Sequence, residues 1–431
     1  MKPLIQVALD FVDLDRAIKV AEQSYKAGIK WLEAGTPLIK SCGVFAIKKL
    51  RQKFPKAKII ADMKVMDAGR IEVEIAFKSG ADIVIVMGNS SDYTIKEAIE
   101  AAKNYGGEIM VDLMEDAANL ERAKQVESFG AHYIGIHIPI DEQMTGNISF
   151  DLLKDVARSV KVPVGIAGGL NSENIVSALK AGAKILIVGG AITKSENVKM
   201  AIAQLKKAID TKKPISTTLY KRVSLKEVRK VLEIVSTANV SDALHRKGWI
   251  EGLFPVIEGI KMIGPAVTVR TYPGDWAKPV EAVDIAEKGD VIVIDAGGVG
   301  PAVWGELASH SCVIKKVSGV VIYGAIRDVE EIRKLKFSAF AKIISPSAGE
   351  PKGFGEINIP IKIGGQFISP GDWIVGDNDG VIVIPKEKIV EIANRAMDVF
   401  EKENRIRKEI REGSTLSKVT EVLKWEKTIK Y

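Results

Sequence analysis

The sequence predicts an α/β protein in two parts: a TIM (β/α)8 barrel over residues 1–210 and a mixed α/β domain over residues 225–431, joined by a linker at 211–224. Three observations predict this. From residue 3 to about 209, eight short apolar runs alternate with eight amphipathic segments, the pattern of repeated βα units. At 431 residues the chain exceeds one ordinary core, so two domains are expected. The alternation then breaks at Thr211-Lys-Lys-Pro-Ile-Ser-Thr-Thr, a polar stretch with one Pro, and does not resume cleanly.

In order, the strands of the first part are expected at 4–9, 30–34, 58–62, 82–87, 108–113, 132–137, 162–166 and 184–188. The helices are expected at 13–27, 39–53, 68–79, 92–104, 117–129, 149–159, 172–181 and 194–209. Ala27-Gly28 and Ala181-Gly182 close two of these helices with the glycine that suits a C-cap. A doubly wound sheet is the alternative, but it rarely has eight equal units. The barrel makes a specific demand, that polar residues gather at the carboxyl ends of its strands. Asp10 ends the first strand, and Glu33 the second, followed by Gly35-Thr36-Pro37. Asp62, Lys64 and Asp67 end the third, and Asp112 the fifth. His137 ends the sixth, with Asp141 and Gln143 beyond it; Gly168-Gly169 and Gly189-Gly190 end the last two. A solvated ion-pair cluster explains one such ending. It does not explain this many on one rim.

Bulk properties narrow the function classes. A hydrophobic content of 46% with 27% charged residues is that of a globular protein, and no apolar run approaches a membrane span. The two cysteines, Cys42 and Cys312, offer neither a disulfide framework nor a zinc cluster. With a start that reaches Asp10 too soon for a signal peptide, they suggest a cytoplasmic protein. The net charge of +7 comes from Lys mixed with Glu on helix faces, which suits attraction to phosphorylated substrates better than nucleic acid. No aromatic stacking platform supports RNA binding.

The rim residues carry recognisable chemistry. Asp62-Met-Lys64-Val-Met-Asp67 sets an ammonium between carboxylates at the end of a strand, a group able to bind metal, stabilise an enediolate and move protons. Glu33 and Asp62 end adjacent strands and offer two hard oxygen ligands of the kind Mg²⁺ takes. His137 is either a satisfied buried histidine or a proton carrier. The glycine pairs allow backbone N–H groups close to an anion, at the positions where this barrel usually binds phosphate.

Beyond the linker, helices are expected at 225–235 and 239–247 and strands at 264–271, 290–295, 318–323, 340–344, 360–363, 372–376 and 380–384. Helices at 386–412 and 415–427 close the chain, in a mixed class with much antiparallel sheet. Asp295-Ala-Gly297-Gly298-Val-Gly300-Pro leads toward a helix with Glu306 near its start, an anion-binding geometry. Arg327-Asp328 follows an apolar strand; it is either a local salt bridge or a carboxylate and metal site.

Ala-Leu-Asp (8–10), Glu-Ala-Gly-Thr-Pro (33–37), Asp-Met-Lys-Val-Met-Asp (62–67), His137, Ala-Gly-Gly-Leu (167–170) and Val-Gly-Gly-Ala-Ile (188–192) resemble the 3-hexulose-6-phosphate synthases of the orotidine-monophosphate decarboxylase superfamily. The resemblance implies a Mg²⁺-dependent aldol reaction. D-ribulose 5-phosphate loses a proton to give a 1,2-enediolate, and formaldehyde adds to give 3-hexulose 6-phosphate; the reverse direction supplies pentose phosphate. It implies Glu33 and Asp62 as Mg²⁺ ligands, Lys64 as enediolate stabiliser and Asp67 as a residue reaching a dimer partner's site. It further implies His137 as proton carrier, Asp10 and Asp112 on sugar hydroxyls, and Gly169, Gly189 and Gly190 on the phosphate. The alternative within the superfamily is 3-keto-L-gulonate-6-phosphate decarboxylase. After His137 the synthases usually carry a Gly, and this chain has Ile-Pro-Ile-Asp141-Glu-Gln143 instead. Asp141 and Gln143, where the decarboxylase is expected to carry an Arg, favour the synthase.

Ser241-Asp-Ala-Leu, the Gly297–Gly300 turn, Arg327-Asp328 and Gly371-Asp-Trp-Ile-Val-Gly-Asp377 resemble the family of regulator of ribonuclease activity A and class II 4-hydroxy-4-methyl-2-oxoglutarate aldolases. This implies a swivelling-type α/β domain with trimer-type contacts. Arg327 would bind a 2-oxoacid carboxylate, Asp328 a divalent metal (Mg²⁺ or Mn²⁺), and Gly297, Gly298 and Gly300 the oxoacid end, with Glu306 nearby. The alternative is a non-catalytic module that regulates a ribonuclease or drives oligomerisation.

Overall fold

The protein is described by a computed structural model covering residues 2–114, 117–139, 143, 144, 149–217 and 222–420. The chain divides into two compact units, chiefly at residues 221/222, with Met144 grouped with the second.

In the first unit, β1 (Leu4–Leu9), β2 (Trp31–Ala34), β3 (Lys58–Val65), β4 (Ile83–Met87), β5 (Glu108–Leu113), β6 (Tyr133–His137), β7 (Val164–Ala167) and β8 (Ile185–Val188) close into a barrel in sequence order. Every pairing is parallel, including β1 with β8. The strands are near-continuous apolar runs because both of their faces are covered. Outward residues such as Val7, Leu32, Ile59 and Val84 pack beneath the helices. Inward residues, among them Ala8, Ile60, Ile85, Met110 and Ile187, fill the lumen. The lumen is therefore a largely apolar packed core, with its charged residues gathered at the ends.

Three local differences from the expected elements have physical causes. β3 runs three residues past the expected Asp62, because an irregularity between Ala61 and Val65 keeps the strand going with Lys64 in the left-handed region at φ 49°. The helix expected at 39–53 is two, Thr36–Cys42 and Phe45–Lys53: Pro37 starts the first and Gly43 at φ 64° ends it. The last barrel helix begins at Val198, where the Asn197 side chain accepts the Met200 N–H, and a separate turn forms at Gly190–Thr193.

The second unit is built on a mixed sheet. β10 (Met262–Arg270), β11 (Val291–Asp295), β13 (Gly319–Ile326) and β14 (Ala339–Ile344) run parallel at its centre. β18 (Trp373–Asp377) and β19 (Gly380–Ile384) extend it antiparallel beside β10, and β9 (Phe254–Pro255) pairs antiparallel with β14. Short β12 (Ala302–Trp304) runs parallel to β13, and β15 (Glu356–Ile357) antiparallel to β10. β16 (Ile361–Ile363) and β17 (Gln366–Ile368) form a separate antiparallel pair. Helices Ala277–Ile285, Glu306–Lys315 and Val329–Leu335 link the parallel strands. The first and third were not expected: seven to nine residues give too few turns for a clear apolar stripe. Ile389–Arg411 is a long terminal helix, followed by Leu416–Val419; the rest of the helix expected at 415–427 lies outside the described residues. No described helix is long and apolar enough to cross a membrane.

Candidate active sites

At the carboxyl ends of the barrel strands, Lys64 is the hub. Its Nζ lies 2.7 Å from Asp112 Oδ2 and 3.1 Å from Asp62 Oδ1. His137 Nδ1 lies 3.1 Å from that same Asp112 oxygen. Three strands, β3, β5 and β6, thus converge on one carboxylate oxygen. A left-handed backbone at a lysine is costly, on the order of 1–3 kcal/mol, and such strain is characteristic of functional sites. A neutral imidazole that donates from Nδ1 to Asp112 has its lone pair on Nε2, as a general base requires.

The charges are strongly coupled. Burial opposes ionisation of Asp112, but His137 and Lys64 outweigh it and hold its pKa at about 2. Burial likewise opposes the Lys64 ammonium, yet Asp112 and Asp62 raise its pKa above the ordinary lysine value. Glu33 is buried; desolvation, then the charges of Asp62 and Asp10, push its pKa well above the usual carboxylate range, against a smaller pull from Lys64. Asp10 is open to solvent on one side but hemmed in by protein on the others. Its pKa is raised too, by desolvation and then by Asp62.

The site therefore gathers Asp10, Glu33, Asp62 and Asp112 around a single lysine. That surplus of hard anionic oxygens fits a divalent cation at Glu33 and Asp62, with water and substrate oxygens completing its shell. Among the described residues no three His, Cys, Asp or Glu side chains already form a metal cluster, so a cation there would draw on non-protein ligands.

Other expected residues fall less centrally. Asp67 is exposed, and its carboxylate accepts the Ala68 N–H at 2.7 Å rather than joining the network. Gly189 borders the Asp10 carboxylate: a Cβ there would stand 3.3 Å from Oδ2. Gly190 opens the short Gly190–Thr193 turn, whose first N–H groups have no intrahelical acceptor. Gly169 adopts φ 66°. Gln143 is buried and donates to Ile138 O at 2.8 Å, while Asp141 lies outside the described residues.

Sequence reasoning missed three supports. Thr36 Oγ1 sits 2.8 Å from Asp62 Oδ2 and 2.9 Å from its backbone oxygen. Gly35 leaves room for Asp10, because a Cβ there would lie 2.2 Å from Oδ1. Gln6 Nε2 donates to Glu33 Oε2 at 2.6 Å. A lone glutamine inside the apolar run Leu4-Ile-Gln-Val-Ala-Leu9 was the available signal for the last.

Residues 3–205 match the profile of the orotidine 5'-phosphate decarboxylase / HUMPS family. The 3-hexulose-6-phosphate synthase of Methylomonas aminofaciens is 38% identical over 203 residues, 97% of its own length and 47% of this chain. The chain belongs to this family. Another relative, an uncharacterised protein of Methanocaldococcus jannaschii, is 41% identical over 192 residues, 91% of its length and 44% of this chain. Family membership through these residues makes the barrel an enzyme domain. Residues 237–383 match a second profile, RraA-like (Aldolase/RraA). A solved RNA-processing inhibitor RraA from Thermus thermophilis is 26% identical with a TM-score of 0.33, covering 35% of this chain and 93% of its own.

In the RraA-like unit, Arg327 Nε lies 3.4 Å from Asp328 Oδ2, and both side chains are solvent-accessible. The Glu306 N–H also points to Asp328 Oδ2, at 3.3 Å. Gly305 permits this approach, since a Cβ there would stand 2.6 Å from that oxygen. Glu306 Oε1 is 3.7 Å from His310 Nδ1. Asp328 offers one carboxylate, a donor that fits a divalent ion with a mostly aqueous shell. In the glycine turn, the Gly297 N–H donates to Asp295 Oδ1 at 3.1 Å and the Gly298 N–H to Tyr323 O at 3.0 Å. These two N–H groups, expected to face a ligand, are taken up within the fold, and the turn is fixed against β13. The cation beside it is Lys342, 4.7 Å above the Tyr323 ring and close to Gly298.

Proposed function

We propose that the barrel is a lyase: a 3-hexulose-6-phosphate synthase that joins D-ribulose 5-phosphate and formaldehyde reversibly. The observation that carries this reading is the single Asp112 oxygen shared by Lys64 and His137, next to Asp62. It places a fixed cation and an oriented imidazole together, the two groups an enediolate reaction needs. His137 Nε2 takes the C1 proton, and the C1–H electron pair moves into a C1–C2 double bond as charge builds on the C2 oxygen. The Lys64 ammonium faces that charge. C1 then bonds to the formaldehyde carbon, the C2 carbonyl re-forms, and the formaldehyde oxygen takes up a proton. Asp10 would orient sugar hydroxyls, and the N–H groups at Gly169, Gly189 and Gly190 would hold the phosphate. Mg²⁺ bound by Glu33 and Asp62 would supply a second positive charge beside the enediolate oxygens. Exposed Asp67 would serve the site of a second copy.

Formaldehyde release from 3-hexulose 6-phosphate, with Mg²⁺ and then with EDTA, tests this. Release that needs the metal and is lost in Asp62→Ala supports the synthase. CO₂ from 3-keto-L-gulonate 6-phosphate without formaldehyde release assigns the barrel to the decarboxylase instead.

For the RraA-like unit, the Arg327–Asp328 pair favours a metal-dependent 2-oxoacid lyase: Arg327 for the carboxylate, Asp328 for the ion. Pyruvate formed from 4-hydroxy-4-methyl-2-oxoglutarate and lost in Asp328→Ala is the expected result. No turnover in any metal, with specific binding to a ribonuclease, indicates the regulatory role.

A further inference from the structure

Gln6 is a polar side chain in an otherwise apolar layer of the barrel lumen. It pairs in register with Trp31 on one side and Ile187 on the other, and it is fully buried. The residue opposite Glu33 on β1 is Ala8, so Gln6 lies two positions nearer the amino end of the strand. Its amide therefore reaches Glu33 diagonally, from the layer beneath the mouth. The contact is short, 2.6 Å from Nε2 to Oε2. Gln6 Oε1, in contrast, has no hydrogen-bond partner among the described residues. An unpaired buried carbonyl is costly, so the amide does not serve stability efficiently. With Glu33 ionised as a metal ligand, the opposite amide orientation would set a carbonyl against a carboxylate.

We propose that Gln6 is a positioning residue for the divalent-cation site. It clamps one Glu33 oxygen from below and leaves the other to face the ion. This rests on the reading of Glu33 as a metal ligand. Residue choice follows from geometry: Asn would withdraw the donor by one methylene, Met would fill the space with no donor, and Glu would add another carboxylate to a site already rich in them. Partners that orient a metal ligand in this way are typically worth roughly 10–100-fold in metal affinity.

The test is Mn²⁺ binding, followed by the loss of the free-ion electron paramagnetic resonance signal. The full chain would carry Asp328→Ala throughout to silence the second candidate ligand. Gln6→Met is expected to weaken Mn²⁺ binding roughly 10–100-fold. It should add nothing further in a Glu33→Gln background, since the clamp acts only through Glu33. Gln6→Met binding as tightly as the parent, while Asp62→Ala does not bind, would overturn the clamp and leave the metal reading intact. Equal loss from Gln6→Met with and without Glu33→Gln would also overturn it. Unchanged binding in Asp62→Ala would remove the metal reading and the clamp together. Should Gln6→Met fail to fold, Gln6→Asn applies the same criteria, because it keeps a polar amide in place and only retracts the donor.

Discussion

Asp112 shows how one carboxylate organises a barrel mouth. Its pKa of about 2 lies below the ordinary Asp value, so its ionised form stabilises the folded state. That contribution, on the order of 2 kcal/mol, is fully present above about pH 4 and is lost as pH falls toward 2. Acid unfolding of Asp112→Asn should therefore lack this part of the profile. Glu33 and Asp10 act in the opposite sense: their raised pKa values favour folding in the protonated state, and that advantage fades as pH rises. Metal-free protein should consequently gain thermal stability from Mg²⁺, about 2.7 kcal/mol at a hundredfold excess over the dissociation constant. The gain should grow with pH over the range in which these two carboxyls ionise, as calorimetry at several pH values would reveal. His137→Asn should lower kcat by about 10²–10⁴ with a small change in KM, the signature of lost proton transfer. These residues were legible in the sequence because each is a polar interruption just past an apolar run. Gln6 and Thr36 were not, since their significance lies in what they touch across strands.

Among the elements, the loops after the strands decide the chemistry. Gly35 between β2 and the Thr36–Cys42 helix makes way for Asp10, so Gly35→Ala should displace that carboxylate. The expected result is a raised KM for ribulose 5-phosphate with the melting temperature little changed, read from steady-state kinetics. The eight strands were legible because both faces of a parallel barrel are buried and the runs are nearly continuous. The extension of β3 through Lys64 was hidden, since a polar Asp62-Met-Lys64 looks like a strand end until its backbone is seen. Helices Ala277–Ile285 and Val329–Leu335 escaped for lack of length, and with them the parallel centre of the second sheet. In the glycine turn at 297–300, composition suggested anion-binding N–H groups, whereas two of them close the turn onto Asp295 and Tyr323.

At the scale of the whole molecule, two family profiles match one chain, each over its own compact unit. Asp328→Ala should leave formaldehyde release unaltered, and Asp62→Ala should leave any 2-oxoacid turnover unaltered. Each assay would then report on one unit alone. The domain pairing was legible because the motifs of both resemblances are contiguous residues, while Lys342 comes to the glycine turn only through the fold, above the Tyr323 ring. The enediolate is the central intermediate of the proposed reaction. Its most direct measurement is solvent deuterium entering C1 of D-ribulose 5-phosphate in D₂O without formaldehyde, followed by proton NMR. Exchange in the wild type, abolished by EDTA and by Lys64→Ala, is the predicted result. Absence of exchange in wild type that still releases formaldehyde, or exchange unaffected by Lys64→Ala, would contradict the role given to the Lys64–Asp112–His137 cluster.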